Sequence, residues 1–167
     1  TPLRSEAYIV ENKPQAVANT TKTNPAGHDL GRALRFQCQP GCVRCCDKKG
    51  FVYITEDDLL RLAGFLGLPP ADFEARYVVR TRRTLRLRTP RRRNCHFLTP
   101  AGCSVHPVKP TQCRAYPFWP EILSSRERWL AESSACPGIG MGRLYQISTA
   151  LETARRLRVA YPWQYKE

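Results

Sequence analysis

The chain has 167 residues, 42% of them hydrophobic and 10% aromatic, which is one domain's worth of protein with a modest core. Its net charge of +13 comes mostly from arginine, 21 Arg against 6 Lys, and favours nucleic acid, anionic lipid or an acidic protein partner without choosing among them. No apolar run approaches the ~20 residues of a membrane-spanning helix, and the opening TPLRSEAYIVENKPQ holds no hydrophobic signal core.

Residues 1–27 are polar and read as an extended or disordered arm, which a partner would order. Residues 28–167 read as a single cysteine-cluster metal-binding domain. His28 to Phe36 is a short helix or an extended lead-in, and Phe51 to Ile54 a brief β-like run. Thr55, with Asp58 three positions on, predicts a capped helix through Leu59, Leu62, Ala63 and Leu66 that stops at Gly67. Pro69-Pro70 opens a second helix over about 71–79. Thr84 to Arg88 alternates and predicts a strand with one wet, cationic face. Residues 95–108 predict a hairpin turning at Pro100-Ala101-Gly102, and Pro107 to Pro120 is too broken by proline for regular helix. Ile122 to Glu132 reads as loop plus a short helix. Gly138-x-Gly140-x-Gly142 reads as a turn rather than a dinucleotide fingerprint. Thr149 and Glu152 suggest a capping box for a helix over about 150–160. The fold class expected is α+β: a small irregular, metal-stabilised domain with short helices, a short hairpin and Pro-rich loops.

Eight cysteines carry the chemistry. Four stand together as Cys38-x3-Cys42-x2-Cys45-Cys46, and Cys95, Cys103, Cys113 and Cys136 follow at a distance. Thiolates are soft ligands that suit zinc or an iron–sulfur cluster, and an x2 gap lets two of them meet one ion at a turn. Side chains at adjacent positions of extended backbone diverge, so Cys45 and Cys46 need not share an ion. Eight thiolates suffice for two four-coordinate zinc sites or for one cluster with structural thiols, which leaves His28, His96 and His106 as ordinary histidines. Cys113-Arg114-Ala115-Tyr116-Pro117-Phe118-Trp119-Pro120 sets large rings beside a ligand, and Arg114, Tyr116 and Trp119 are candidates for a shell around the metal.

These pieces resemble the zinc- or iron-chelating cysteine-cluster family named for its CxxCxxCC signature. The resemblance rests on Phe36-x-Cys38, Cys42-x2-Cys45-Cys46, Cys95-x-Phe97-Leu98, Gly102-Cys103-Ser104-Val105-His106, Pro110-Thr111-Gln112-Cys113-Arg114 and Cys136-Pro137-Gly138. The first gap, Cys38 to Cys42, is one residue wider than the signature. The resemblance implies metal binding and leaves zinc and iron–sulfur both open.

Between Arg76 and Arg93 there is no acidic residue, and Arg80, Arg82, Arg83, Arg86, Arg88, Arg91, Arg92 and Arg93 form a band suited to RNA or an acidic protein surface. No acid–base pair or activated nucleophile stands out. The reading is a non-catalytic accessory or structural subunit that docks through this basic surface into a large protein or ribonucleoprotein assembly. An iron–sulfur protein of electron transfer or protein modification, and an RNA-binding module, are the alternatives. Reduced thiols suit an intracellular reducing compartment. The absent initiator methionine and the arginine bias favour the mitochondrial matrix or another organelle over cytosol.

Overall fold

The computed structural model describes residues 30–91 and 95–165. The expected arm, His28, Arg92 and Arg93 lie outside the described residues. The rest is a small α+β domain of short helices and three small open sheets, each antiparallel.

Its first half-core is built on strand β1 (Ala33–Phe36) and strand β7 (Ile139–Gln146). Their ladder pairs Ala33 with Gln146 and Leu34 with Tyr145, then slips at Arg35 so that Phe36 faces Ile139. Helix α5 (Ile147–Ala160) continues directly from β7 and packs Ala150 and Ala154 against Leu34, Phe118, Trp129 and Ile139. Helix α4 (Arg126–Glu132), capped by the Ser125 hydroxyl, supplies Trp129, whose ring stacks on Phe118 at 5.7 Å.

The second half-core lies under the sheet β2–β4–β3. Strand β2 (Tyr53–Ile54) leads into helix α1 (Glu56–Phe65), helix α2 (Pro70–Tyr77) leads into β3 (Val78–Arg80), and β4 (Leu85–Leu87) lies between the two strands. The capping box at Thr55 and Asp58 is formed, and Gly67 ends the turn after α1 with φ +65°, where glycine alone is unstrained. Leu85 and Leu87 point into this core with Ile54, Leu62, Phe73 and Val78, while Arg86 and Arg88 point outward, as the alternation requires. The hairpin β5 (Leu98–Thr99) and β6 (Gly102–Cys103) closes the same core with Phe97 and Val105.

Three segments depart from expectation. Helix α3 (Thr111–Ala115) forms inside the proline-rich stretch, because Pro110 sits at its N-cap and Pro117 lies beyond its last turn, where neither removes a helical hydrogen bond. The glycine-rich segment after Cys136 becomes strand β7, held by β1 rather than by its own propensity. Helix α5 begins at Ile147 with no side-chain cap, and Glu152 instead takes Arg155 and Arg156 at 2.7 and 2.9 Å. A third small cluster joins the halves: Ala115 of α3 and Leu157 and Tyr161 of the C-terminal segment meet Tyr53 and Trp119.

Candidate metal centre

The ladder between β1 and β7 decides where the first and last cysteines go. Gln37 donates its N–H to Gly138 O at 3.0 Å, one step beyond the Phe36–Ile139 pair. A Cβ on Gly138 would stand 2.3 Å from Gln37 O, so the two backbones meet only because this residue is glycine. Cys38 is thereby brought to the side of Cys136, from the far end of the cysteine-bearing span.

From Cys38 the backbone turns. Cys42 donates its N–H to Gln39 O at 3.1 Å, with Gly41 at φ +70°, and Cys46 donates to Val43 O at 2.8 Å. Side chains tie this loop to the end of α4. Arg44 donates to Ser134 O at 3.1 Å, and Lys48 forms an ion pair with Glu132. Glu132 also accepts the Tyr116 hydroxyl at 2.6 Å, and the Lys48 ammonium stands 4.8 Å over the Tyr116 ring.

Cys113 is placed by α3, and each neighbour in Thr111-Gln112-Cys113-Arg114 has its own task. Thr111 binds the fully buried carboxylate of Asp58 through its amide, at 3.0 and 3.1 Å, and its hydroxyl, at 2.8 Å. Gln112 accepts from Tyr53 N at 2.7 Å and so extends the edge of β2. Arg114 donates to Lys109 O at 2.9 Å and Pro107 O at 3.3 Å, which closes the preceding loop. Cys95 and Cys103 arrive on the hairpin and pack against the second half-core.

Five of the thiols, Cys38, Cys42, Cys45, Cys113 and Cys136, line one cavity of about 100 Å³ together with Arg44, Lys109, Arg114 and Tyr116. The adjacent pair does not diverge: Cys45 Sγ and Cys46 Sγ are 3.9 Å apart, because the backbone here is a turn and not a strand. Cys45 lines the cavity and Cys46 stands beside it. The thiols of Cys45, Cys46 and Cys103 share protons: Cys46 is held as the thiol, far above its ordinary range, and Cys45 is drawn down to about 6 and Cys103 to about 7. Burial pushes Cys38, Cys95 and Cys113 up. Lys109 opposes that burial at Cys38 and Cys113 and favours the thiolate at Cys45 and Cys103, so its ammonium serves thiols from three separate segments.

Among the described residues, no three His, Cys, Asp or Glu side chains stand close enough to hold one ion. The thiols ring a space rather than meet at a point. The donor set nonetheless fits a soft metal: sulfur from three parts of the chain faces one small, partly cationic cavity.

The family model "CxxCxxCC: Putative zinc- or iron-chelating domain" matches residues 37–137. The chain belongs to this family. The matched span begins one residue before Cys38 and ends one after Cys136, so it contains all eight cysteines of this CxxCxxCC domain. No curated protein and no solved structure matches the chain.

Of the residues expected around the thiols, Tyr116 and Arg114 line the cavity. Trp119 stands behind, edge-on to Tyr116 at 5.2 Å, with its N–H on Gln112 O at 2.9 Å. His96 packs edge-on against Tyr77 and His106 is exposed; neither lines the cavity. Lys109 escaped the sequence reading, although it directly precedes the Pro110-Thr111-Gln112-Cys113 signature and a cation beside a thiolate motif is a signal in itself. In the arginine band, Arg80 is committed within the chain to Glu74 at 2.6 Å and to Glu56 at 2.5 Å. Arg82, Arg83, Arg88 and Arg91 are exposed, and Arg86 lies 4.0 Å over the Phe51 ring.

Proposed function

We propose that the eight thiols close around metal and hold the two half-cores together, and that the domain is a non-catalytic subunit docking through its basic surface into a larger protein or ribonucleoprotein assembly. The observation that carries the metal reading is one cavity lined by five cysteines drawn from three separate segments, with Cys46 Sγ 3.9 Å from Cys45 Sγ. Four thiolates from among Cys38, Cys42, Cys45, Cys113 and Cys136 would hold the ion at the cavity, with Cys46, Cys95 and Cys103 behind it. Zinc needs only thiolate ligands and closure, and supplies folding energy outright. The carboxylates nearby are spent on structure: Glu132 on Lys48 and Tyr116, Asp58 on Thr111 and Arg61. Such use supports a binding role over an acid–base one. A reducing compartment, such as the mitochondrial matrix, would keep the thiols available.

One observation favours an iron–sulfur cluster instead. Tetrahedral zinc draws four sulfurs to about 3.8 Å from one another, whereas here five thiols surround a space of about 100 Å³. Anaerobic purification followed by metal analysis and an absorption spectrum separates the two. Stoichiometric zinc in a colourless protein supports the first reading; iron, acid-labile sulfide and visible absorption support the second. A metal-free chain that keeps its near-UV circular dichroism and its urea midpoint overturns both.

A further inference from the structure

We propose that the outer face of the β2–β4–β3 sheet is a binding platform for single-stranded nucleic acid, with Phe51 as the stacking ring and Arg82, Arg83, Arg88 and Arg91 as phosphate contacts. The proposal rests on the docking reading above and names the partner of that basic surface.

Register and charge both point there. Tyr53, Arg86 and Val79 lie in one row across the three strands, on the face opposite the buried Ile54, Leu85, Leu87 and Val78. Trp163 covers Tyr53 edge-on at 5.8 Å, so this end of the row is closed by the chain's own C-terminal segment. Phe51, two residues before Tyr53 on the same side, is left 49% exposed. Its ring meets Tyr53 edge-on at 6.4 Å and carries the Arg86 guanidinium over one face at 4.0 Å, yet half of its surface stays open to solvent. A ring with a guanidinium stacked over one face leaves flat surface for unpaired bases, which a duplex keeps stacked inside.

The charge around it is not balanced from within. No Asp or Glu occurs between Glu74 and Glu121. Arg80 is exposed but neutralised by Glu56 and Glu74, and so offers no free charge. Arg82 and Arg83 at the β3–β4 turn, and Arg88 and Arg91 beyond β4, have no ion-pair partner among the described residues. Cations flanking an aromatic platform match a strand whose phosphates run along the turn while its bases lie inward. An acidic protein would satisfy the arginines but gives no account of the half-exposed ring.

The test is fluorescence anisotropy of the metal-loaded full chain with a labelled oligouridine, run as RNA and as the DNA equivalent. The same strand annealed into a duplex and polyglutamate serve as competitors. Affinity should fall with salt at a log–log slope of about −3, the value for four phosphate contacts on a single strand. Phe51→Ala should weaken binding about tenfold or more at an unchanged slope, and Phe51→Trp should restore it. Arg82→Gln with Arg83→Gln should flatten the slope by about 1.4. The platform is overturned if Phe51→Ala binds as the parent does, if the duplex competes as well as the single strand, or if polyglutamate displaces the probe equally. Metal content and circular dichroism are read on every sample. Absent binding by a fully loaded, folded chain removes this inference and leaves the metal centre standing, whereas displacement by polyglutamate removes it and leaves docking through the basic surface to an acidic partner.

Discussion

The carboxylate of Asp58 accepts both the amide and the hydroxyl of Thr111, which joins the first turn of α1 to the first turn of α3. The same carboxylate takes Thr55 N at 3.1 Å, an ion pair from Arg61 and the Tyr161 hydroxyl at 3.4 Å. It is wholly buried. Asp58→Ala strands these donors together, and breaking a buried, hydrogen-bonded ion pair from one side costs about 3 kcal/mol or more. Thr111→Ala loses only the hydroxyl contact, at about 1 kcal/mol. Urea midpoints at constant slope should rank the two variants in that order. The Asp58 variant should also hold less metal, because α3 carries Cys113.

Glu132 is the anchor of the claw loop. It receives Lys48 from the loop and Tyr116 from beside the cavity, at the end of α4. Glu132→Gln removes the ion pair while keeping an acceptor for Tyr116. Groups that orient metal ligands typically change affinity by about 10–100-fold when lost. Competition with a chromophoric chelator should therefore show metal leaving the variant at least about tenfold more readily. Equal chelator competition for parent and variant would show that the loop needs no such anchor.

Where a feature is set by neighbours in sequence, it could be read there. The Thr55–Asp58 box, the stop at Gly67, the start at Pro70 and the turn at Pro100–Gly102 are all local, and all are present. Strand β7 is not local. Its glycines argue against a strand, and it exists because β1 offers a partner more than a hundred residues away, as Arg35 donating to Gly142 O at 2.8 Å shows. Helix α3 is too short to announce itself, and its first turn is held by a carboxylate from α1. Cysteine spacing identified the eight thiols but could not say that Cys45 and Cys46 touch, since this depends on the loop turning at Val43. The same limit hid Lys109 and Phe51, whose roles come from what lies across from them.

Gly138 tests the closure between Cys38 and Cys136. Its backbone is not in the left-handed region, so alanine is allowed there in isolation. The obstacle is contact, a Cβ at 2.3 Å from Gln37 O and 3.0 Å from the Phe36 ring. Neither the carbonyl nor the β1 strand can yield without parting from β7. Gly138→Ala should destabilise by about 2 kcal/mol, as overpacking against fixed atoms does. It should also lower metal stoichiometry by separating the two thiols. Gly64→Ala is the control, because nothing lies within 4 Å of a Cβ there. It should match the parent or gain slightly in stability, in keeping with helix propensity.

Lys109 makes the sharpest claim about the cavity itself. Its carbonyl is pinned by Arg114 at 2.9 Å and Arg61 at 3.3 Å, which fixes the backbone and leaves the ammonium facing the thiols. Gathering several thiolates concentrates negative charge, and a nearby cation offsets part of their repulsion. Lys109→Met keeps the stem and removes that charge. The backbone bonds to Arg114 and Arg61 use the carbonyl, so they survive the change, and the near-UV circular dichroism of the metal-loaded chain should hardly move. Metal affinity by chelator competition should fall about tenfold or more, and Lys109→Arg should recover most of it. If methionine binds metal as tightly as lysine does, the ammonium is a bystander at the cavity mouth and the charge balance is met by the thiols and the metal alone.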